Sequence, residues 1–436
     1  MDTLKFDLSR NDGSFKIMNA VNNGPCHKRH ANDQFRSNLA EYKAARIPYA
    51  RNHDAAFWPG YGGEHTVDIT AIFPDFDADP YSPESYDFAV TDEYILVTLE
   101  ADTETFYRLG QKIEHYIKKY GTIPPKDFNK WAVICEHIIR HYNEGWADGF
   151  ELNIKYWEIW NEPDLDEDDC LNKRTWGGTK AQFFDMYEIA AKHLKSCFPN
   201  LMIGGPALAN RMNWADDFLG EMKKREVPID FFSWHIYCTE PAQMLARAET
   251  VKNLLIKHGY KNAESILNEW NYVKGWTDEF VYSIEQIIGI KGAAFNMACM
   301  SAAQHSSIDM LMYYDARPTG FNGLFDMYTY RPLKGYYPFL WYGMFYDMEK
   351  EVLCEDNIDN IYTLCSVDSD GKVLSIITYY TDDDNAGKKS FSVDFGREGR
   401  YEIYLLDKEH DGELVKTTSE LDFTLKAYSC VLIKEI

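Results

Sequence analysis

The sequence has no CxxC pair and no repeated cysteine spacing; its nine cysteines are an odd number scattered along 436 residues. That pattern argues against a disulfide framework or a cysteine zinc site and reads as reduced, mostly buried thiols in a cytoplasm. No apolar run is long enough to cross a bilayer, and the opening MDTLKFDLSR has no hydrophobic signal core. The expectation is a soluble cytoplasmic protein with no membrane partner. Basic residues are in short supply, 45 against 69 acidic ones, for a formal charge of −24. A nucleic-acid partner needs a basic face, so that class is excluded. Neither the histidines nor the acids show metal-ligand spacing, so no metal and no cofactor is expected. No solenoid or propeller repeat is visible.

What is present is a globular composition, 45% hydrophobic and 26% charged. Aromatics reach 15%, with 11 Trp and 30 Tyr. Core packing accounts for most of them, and stacking on the apolar faces of sugars would account for the rest. The length suits a barrel of ~250 residues or more with a smaller domain attached.

The stretch YWEIWNEPDL, Tyr156 to Leu165, orders the rest of the chain. Tyr156 to Trp160 reads as a buried strand. Pro163 ends it, since proline cannot donate to a sheet ladder and biases Glu162 away from helix. A carboxylate is thereby placed at the C-terminal end of a strand, where barrel enzymes build their sites. Ser265 to Trp270 (SILNEW) repeats the arrangement with Glu269.

Around these two runs, strands are expected at Phe15 to Ala20, Ile47 to Asp54, Glu104 to Leu109, Leu201 to Ile203, Ile229 to Ile236 and Ile308 to Tyr314. Helical spacing intervenes at Asn32 to Ala45, Thr91 to Ala101, Phe128 to His141, Phe183 to Leu194, Trp214 to Lys224, Met244 to His258 and Gly292 to Ala303. Strand and helix alternate eight times, which predicts a (β/α)8 TIM barrel over residues 15–345. Beyond it, short alternating runs separated by Asp-Gly turns, such as Val373 to Tyr379 and Ser429 to Ile433, predict a C-terminal antiparallel β-sandwich over 346–436. Leu4 to Leu8, within an N-terminal segment 1–14, is a candidate to join that sandwich. The loop of residues 55–90 is long enough to be functional.

Hydrolysis of a glycosidic bond with retention needs two carboxyl groups about 5–5.5 Å apart, one to protonate the leaving oxygen and one to attack the anomeric carbon. Glu162 and Glu269, on the fourth and seventh barrel strands, face each other across the mouth. The competing reading is that each glutamate only pairs with an arginine at a strand end; two such glutamates in this setting favour the paired-acid site.

The two motifs resemble those of clan A glycoside hydrolases, in which Asn-Glu-Pro ends strand four with the acid/base and strand seven ends with the nucleophile. More closely, the chain resembles glycoside hydrolase family 39, which includes β-xylosidases and α-L-iduronidase. Tyr86-Asp87-Phe88, IWNEPDL, Trp176-Gly177-Gly178-Thr179, Phe232 to Tyr237 and LNEWN carry the likeness. The resemblance implies Glu162 as acid/base and Glu269 as nucleophile of a retaining, exo-acting enzyme of β-xylosidase type acting on an oligosaccharide or glycoside. It further implies that Asn161 bonds the sugar 2-hydroxyl, that Arg51 keeps Glu269 ionised, and that Tyr237 donates to the same carboxylate. His53 and His235 would line the sugar subsite or be satisfied core histidines. Arg108, Trp176, Trp270 and Tyr314 complete the substrate-binding candidates.

The third strand (Tyr107 to Gly110) and the eighth (Met312 to Arg317) depart from the family pattern, and the stretch from Phe57 to Asp79, with Trp58, Tyr61 and His65, has no match. The glycone therefore stays open among xylose, arabinose, glucose, galactose and a uronic acid. A non-catalytic carbohydrate-binding barrel is the reading from another class, and self-association is left open. Arg108 and Arg317 would either fork onto a sugar carboxylate or neutralise acids around the mouth, and the net charge favours the second.

Overall fold

The computed structural model describes residues 2–27, 36–54 and 67–436. A short strand, β1 (Asp2–Lys5), precedes eight more: β2 (Ile17–Asn22), β3 (Tyr49–Arg51), β4 (Glu104–Leu109), β5 (Tyr156–Ile159), β6 (Met202–Leu208), β7 (Phe231–Cys238), β8 (Glu264–Tyr272) and β9 (Met310–Tyr313). These eight pair in chain order, all parallel, and close where Ile17 of β2 meets Met310 of β9. Parallel strands covered on both faces need near-continuous apolar sequence, and β5 and β9 are buried at every position.

The outer faces pack on helices α1 (Leu39–Ala44), α2 (Ile69–Ile72), α3 (Ala89–Glu100), α4 (Phe128–Glu144), α5 (Lys180–Cys197), α6 (Met212–Lys224), α7 (Pro241–Lys257), α8 (Phe280–Ile287), α9 (Ile290–Gln304) and α10 (Tyr336–Gly343). Their ends are chemically defined. Asp127 caps α4 by accepting from the N–H groups of Asn129 and Lys130, and α5 starts with a reciprocal Thr179–Gln182 box. Inside the barrel a separate cluster of Ala20, Phe106, Tyr156, Phe231, Ile266, Met310 and Met312 forms the floor.

The tail holds β10 (Lys350–Glu351), β11 (Ile361–Val367), β12 (Val373–Tyr379), β13 (Lys389–Asp394), β14 (Tyr401–Leu406), β15 (Asp411–Thr418), β16 (Asp422–Leu425) and β17 (Ser429–Glu435). One sheet runs β10-β11-β12-β17-β14-β15, antiparallel throughout; the other is β1-β13-β16, with β1 parallel to β13. Leu4, Phe6, Ile377, Phe391 and Ile433 are buried in the core of this sandwich. It is fastened to the barrel by α9, whose Lys291 is buried and sets Nζ 2.7 Å from Asp382 and 2.9 Å from Asp384.

Several boundaries differ from the sequence expectation. The first barrel strand begins at Ile17 rather than Phe15, and the helix expected from Asn32 is described only from Leu39. Thr91 does not cap α3: it is buried within the helix, and Phe88 holds the cap position with no side-chain bond. Of the long loop, residues 55–66, including Trp58, Tyr61 and His65, lie outside the described residues. The rest carries α2 and a 3-10 turn at Pro83–Ser85.

The floor should be the least forgiving part of the barrel. Phe231 is fully buried between the rings of Phe106 (5.3 Å) and Tyr156 (5.8 Å). Phe231→Ala is expected to destabilise the protein by about 3–5 kcal/mol, read from the midpoint of chemical denaturation. A loss below ~1 kcal/mol would show that the cluster collapses to fill the void.

Candidate active site

Glu162 reaches the mouth through strained backbone. β5 stops at Ile159, and both Trp160 (φ 72°) and Glu162 (φ 48°) then adopt left-handed conformations that non-glycine residues avoid. Each is pinned: Trp160 N–H donates to Leu109 O at 2.7 Å and Glu162 N–H to Ala207 O at 2.9 Å. Thr175 Oγ1 also donates to the Glu162 carbonyl at 2.5 Å. Strain of about 1–3 kcal/mol per residue persists only where surrounding structure fixes it. Gly110 is part of the fit, since a Cβ there would lie 3.1 Å from Trp160 Cα at φ +151°.

Glu269 arrives differently. It lies within β8 rather than at its end, and the β7–β8 register slips between Trp234 and His235 so that His235 pairs with Glu269. A register slip of this kind re-aims a side chain locally. Its Oε1 accepts from Arg51 Nη1 at 2.8 Å and its Oε2 from the Tyr237 hydroxyl at 2.9 Å. His235 Nδ1 stands 2.8 Å from Glu162 Oε1 and 3.5 Å from Glu269 Oε2. One carboxylate oxygen of each glutamate and a His235 nitrogen lie within 4.8 Å of one another, a spacing that could also hold a metal ion. Glu136, His193 and Cys197, on the outer helices α4 and α5, share that spacing.

Beneath the pair lies a polar layer. Arg51 gives Nε to Glu158 Oε2 (2.7 Å), Nη1 also to Asn22 Oδ1 (3.1 Å) and Nη2 to Asn161 Oδ1 (2.6 Å). Asn268 Nδ2 donates to the other oxygen of Glu158 at 2.5 Å. All of these side chains are buried, so each charge depends on its partners to offset desolvation.

The electrostatics separate the two acids. Burial, reinforced by the charge of Asp164, pushes the Glu162 carboxyl up to about 8. Burial also raises Glu269, and the charge of Arg51 offsets that only in part. Among the described residues, Glu269 holds the guanidinium and a phenol donor, whereas the Glu162 carboxyl meets the His235 ring. In this coupled pair the shared negative charge therefore rests on Glu269 and the proton on Glu162. Burial depresses both His235 and His53, which leaves them neutral. It also raises the Tyr237 phenol, with Glu269 adding to the effect, so Tyr237 remains a donor.

The pair opens into a cleft of about 1010 Å³. Of the residues expected from sequence, Asn161, Glu162, Glu269, His53, Tyr237 and Tyr314 line it. Tyr314 is oriented by its hydroxyl bond to Asp54. Arg51 and His235 stand behind the carboxylates, fully buried, and act through them rather than on a ligand.

Three candidates are corrected. Arg108 is fully buried and gives Nη2 to His53 O (2.5 Å) and Asp68 Oδ1 (2.7 Å), which ties β4 to the neighbouring loop. Trp176 donates Nε1 to Thr179 O at 2.9 Å and packs edge-on against Trp160, inside the hydrophobic core. Trp270 points the other way from Glu269, its neighbour in the strand, and packs on Phe295 and Tyr313. Arg317 is likewise engaged by Asp315 and the Asp54 carbonyl.

Other residues of the site went unread in the sequence. Glu158 was signalled only by being a charge inside an apolar strand. Trp276, in the loop after β8, lies over Tyr237 (5.0 Å) and stacks near Phe280 and Phe321, forming an aromatic wall. Arg174, Asn210 and Arg247 line the opposite side.

The family model described as glycosyl hydrolases family 39 matches residues 61–284, more than half the chain. A beta-xylosidase from Geobacillus stearothermophilus is 27% identical over 236 residues, 47% of this chain and 44% of that protein. One from Caldicellulosiruptor saccharolyticus is 31% identical over 172 residues, 36% of this chain and 32% of that protein. The matched region thus spans less than half the length of these curated relatives. A glucosidase from Croceicoccus marinus superposes with a TM-score of 0.80 at 22% identity, covering 100% of this chain and 98% of that one. A monomeric beta-xylosidase from Caulobacter crescentus gives 0.72 at 15% identity, covering 100% and 99%. These superpositions establish a shared fold. With more than half its length matched by the family model, the chain belongs to glycosyl hydrolases family 39.

Proposed function

We propose that the protein is a retaining, exo-acting glycoside hydrolase of β-xylosidase type, with Glu269 as nucleophile and Glu162 as acid/base. The observation that carries the reading is the pair itself: carboxylate oxygens within 4.8 Å, one acid held by a guanidinium and a phenol, the other raised to about 8. Such close spacing suits direct attack, because an inverting site must leave room for a water between its carboxyls. The names of the sequence relatives support the xyloside class. We assign the chemistry to the barrel, residues 15–345, and a supporting role to residues 346–436 with 1–14. Nine unpaired thiols are consistent with a reducing, cytoplasmic setting. Among the described residues no helix is long and apolar enough to cross a membrane.

In the first step the Glu269 carboxylate attacks the anomeric carbon as its bond to the leaving oxygen breaks, and the Glu162 proton passes to that oxygen. In the second, Glu162, now a carboxylate, takes a proton from water, whose oxygen displaces Glu269. Arg51 and Tyr237 hold the nucleophile in place and must yield part of its charge as the ester forms. Asn161 presents its carbonyl oxygen to Arg51, so its amide N–H groups are what it can offer the sugar 2-hydroxyl. Trp276 and Tyr314 supply apolar and polar wall to the ring.

A panel of aryl glycosides covering xylose, arabinose, glucose, galactose and uronic acids tests the reading; no turnover of any of them would favour the sugar-binding barrel. Glu269→Ala should lose turnover by several orders of magnitude while keeping the fold, read by circular dichroism. A 2-deoxy-2-fluoro glycoside should label Glu269, and labelling elsewhere or an inverted product would refute the retaining mechanism.

Glu162→Ala should slow substrates with poor leaving groups by about 10²–10⁴-fold while barely affecting activated aryl glycosides. The pH dependence has a definite sign. Glu162 works as an acid only while protonated, so kcat/KM in the wild type should fall as pH rises through about 8. Glu162→Gln should remove that alkaline limb. An unchanged limb would assign it to another group.

A further inference from the structure

We propose that the cleft wall on the acid's side is a leaving-group subsite for a carboxylate, read by Arg247 with Asn210. The favoured substrates then carry a uronic acid, or another carboxylate-bearing unit, in the part that departs. The inference rests on the hydrolase reading above and adds the chemistry of the second sugar.

Position comes first. A nucleophile attacking in line expels the leaving group from the opposite face of the ring, so the departing unit lies on the flank of Glu162, away from Glu269. The loops following β5 and β6 and the first half of α7 form that flank, and they bring Arg174, Asn210, Gln243 and Arg247 into the cleft. The glycone side is walled by His53, Trp276 and Tyr314.

Charge comes next. The chain carries 69 acidic and 45 basic residues, yet among the described residues Glu162 and Glu269 are the acids lining this cleft. Its bases are His53, His115, Arg174 and Arg247. Burial holds both histidines toward the neutral form. Arg174 is already neutralised by a forked pair with Asp166, Nη2 to Oδ1 at 2.7 Å and Nε to Oδ1 at 3.1 Å. Arg247 is different. Its Nη1 and Nη2 donate to Asn210 O (3.3 Å) and Oδ1 (3.0 Å), contacts that orient the fork without neutralising it. Asp164 is the acid whose charge it feels most, but that carboxylate accepts from the backbone N–H groups of Ala209, Asn210 and Arg211 at 2.7, 2.9 and 2.9 Å. The result is a half-buried guanidinium, held from behind, partly desolvated and, among the described residues, lacking a counter-ion at bonding distance. A planar carboxylate is the ligand that relieves this, because it accepts two parallel N–H bonds.

The test compares two disaccharides with the same glycone and linkage, β-xylosyl-(1→4)-glucuronic acid and β-xylosyl-(1→4)-glucose, which differ by a carboxylate in place of a hydroxymethyl group. Wild type should favour the acid in kcat/KM by about tenfold, the worth of one charge-assisted bond. Arg247→Gln should bring that ratio close to one, Arg247→Lys should restore part of it, and added salt should lower it only when a cation is present. A wild-type ratio of one or less, or a preference unmoved in Arg247→Gln, overturns the proposal. Calorimetry with free glucuronate against glucose reads the subsite without catalysis. Tighter glucuronate binding that is lost in Arg247→Gln, in a protein turning over no glycoside, would keep the subsite and discard the hydrolase. Turnover of both disaccharides with no glucuronate preference would do the reverse.

Discussion

One guanidinium fixes the geometry of the mouth. Arg51, at the end of β3, bonds side chains from β2, β5, β8 and the turn after β5, and its three nitrogens leave it little freedom. A lysine in its place would offer a point charge to groups that need a fork. Burial by itself would make so deeply set a cation unfavourable, but Glu158 and Glu269 outweigh that effect and raise its pKa. The charge balance explains why the layer beneath the site carries a second carboxylate. Glu269 alone cannot both neutralise Arg51 and remain free to share its electrons with a substrate; Glu158, capped by Asn268, supplies the standing counter-charge.

The same arrangement drives the two glutamates apart in character. Both are buried, and burial by itself would protonate both. Cation and phenol gather on one side, Asp164 on the other, and so one proton has a definite place. Asp164 serves two ends: it raises Glu162 through its charge, and it anchors the loop after β6 through three backbone N–H bonds. Strained backbone at Trp160 and Glu162 and the slipped register opposite His235 are the local costs of aiming the pair inward. Both are held by bonds to neighbouring strands, so the barrel's closure is what keeps them.

The parts of this structure readable from sequence are those whose cause is local. Eight alternations of strand and helix, and the switch to short strands after residue 346, follow from periodicity and turn residues alone. The position of Glu162 follows from the proline that comes directly after it. What resisted reading needed register. Trp270 follows Glu269 directly, and adjacent residues on a strand face opposite ways, so proximity in sequence meant separation in space. Arg108 lies near the end of its strand as Arg51 does, yet Arg51 points under the site and Arg108 at Asp68. Thr91 has the chemistry of a cap, but α3 begins two residues earlier, at Ala89, and Thr91 turns into its buried face. Glu158 sits inside the same run as Glu162, four residues before it, where apolar neighbours mask a buried counter-charge.

The distribution of charge inside the cleft reaches beyond the two reacting acids. In an acidic protein the inexpensive way to hold an arginine is to pair it, and Arg174, Arg211 and Arg317 beside or near this site are all paired. Arg247 is held by an amide and a carbonyl instead. Neutral contacts fix direction and leave charge uncancelled, which is the condition a binding cation needs and a structural one does not. The carboxylate whose charge reaches it most is held by three backbone N–H bonds that would be lost if it turned. Local stability thus keeps Asp164 away from Arg247, and the arginine keeps its charge for whatever enters the cleft.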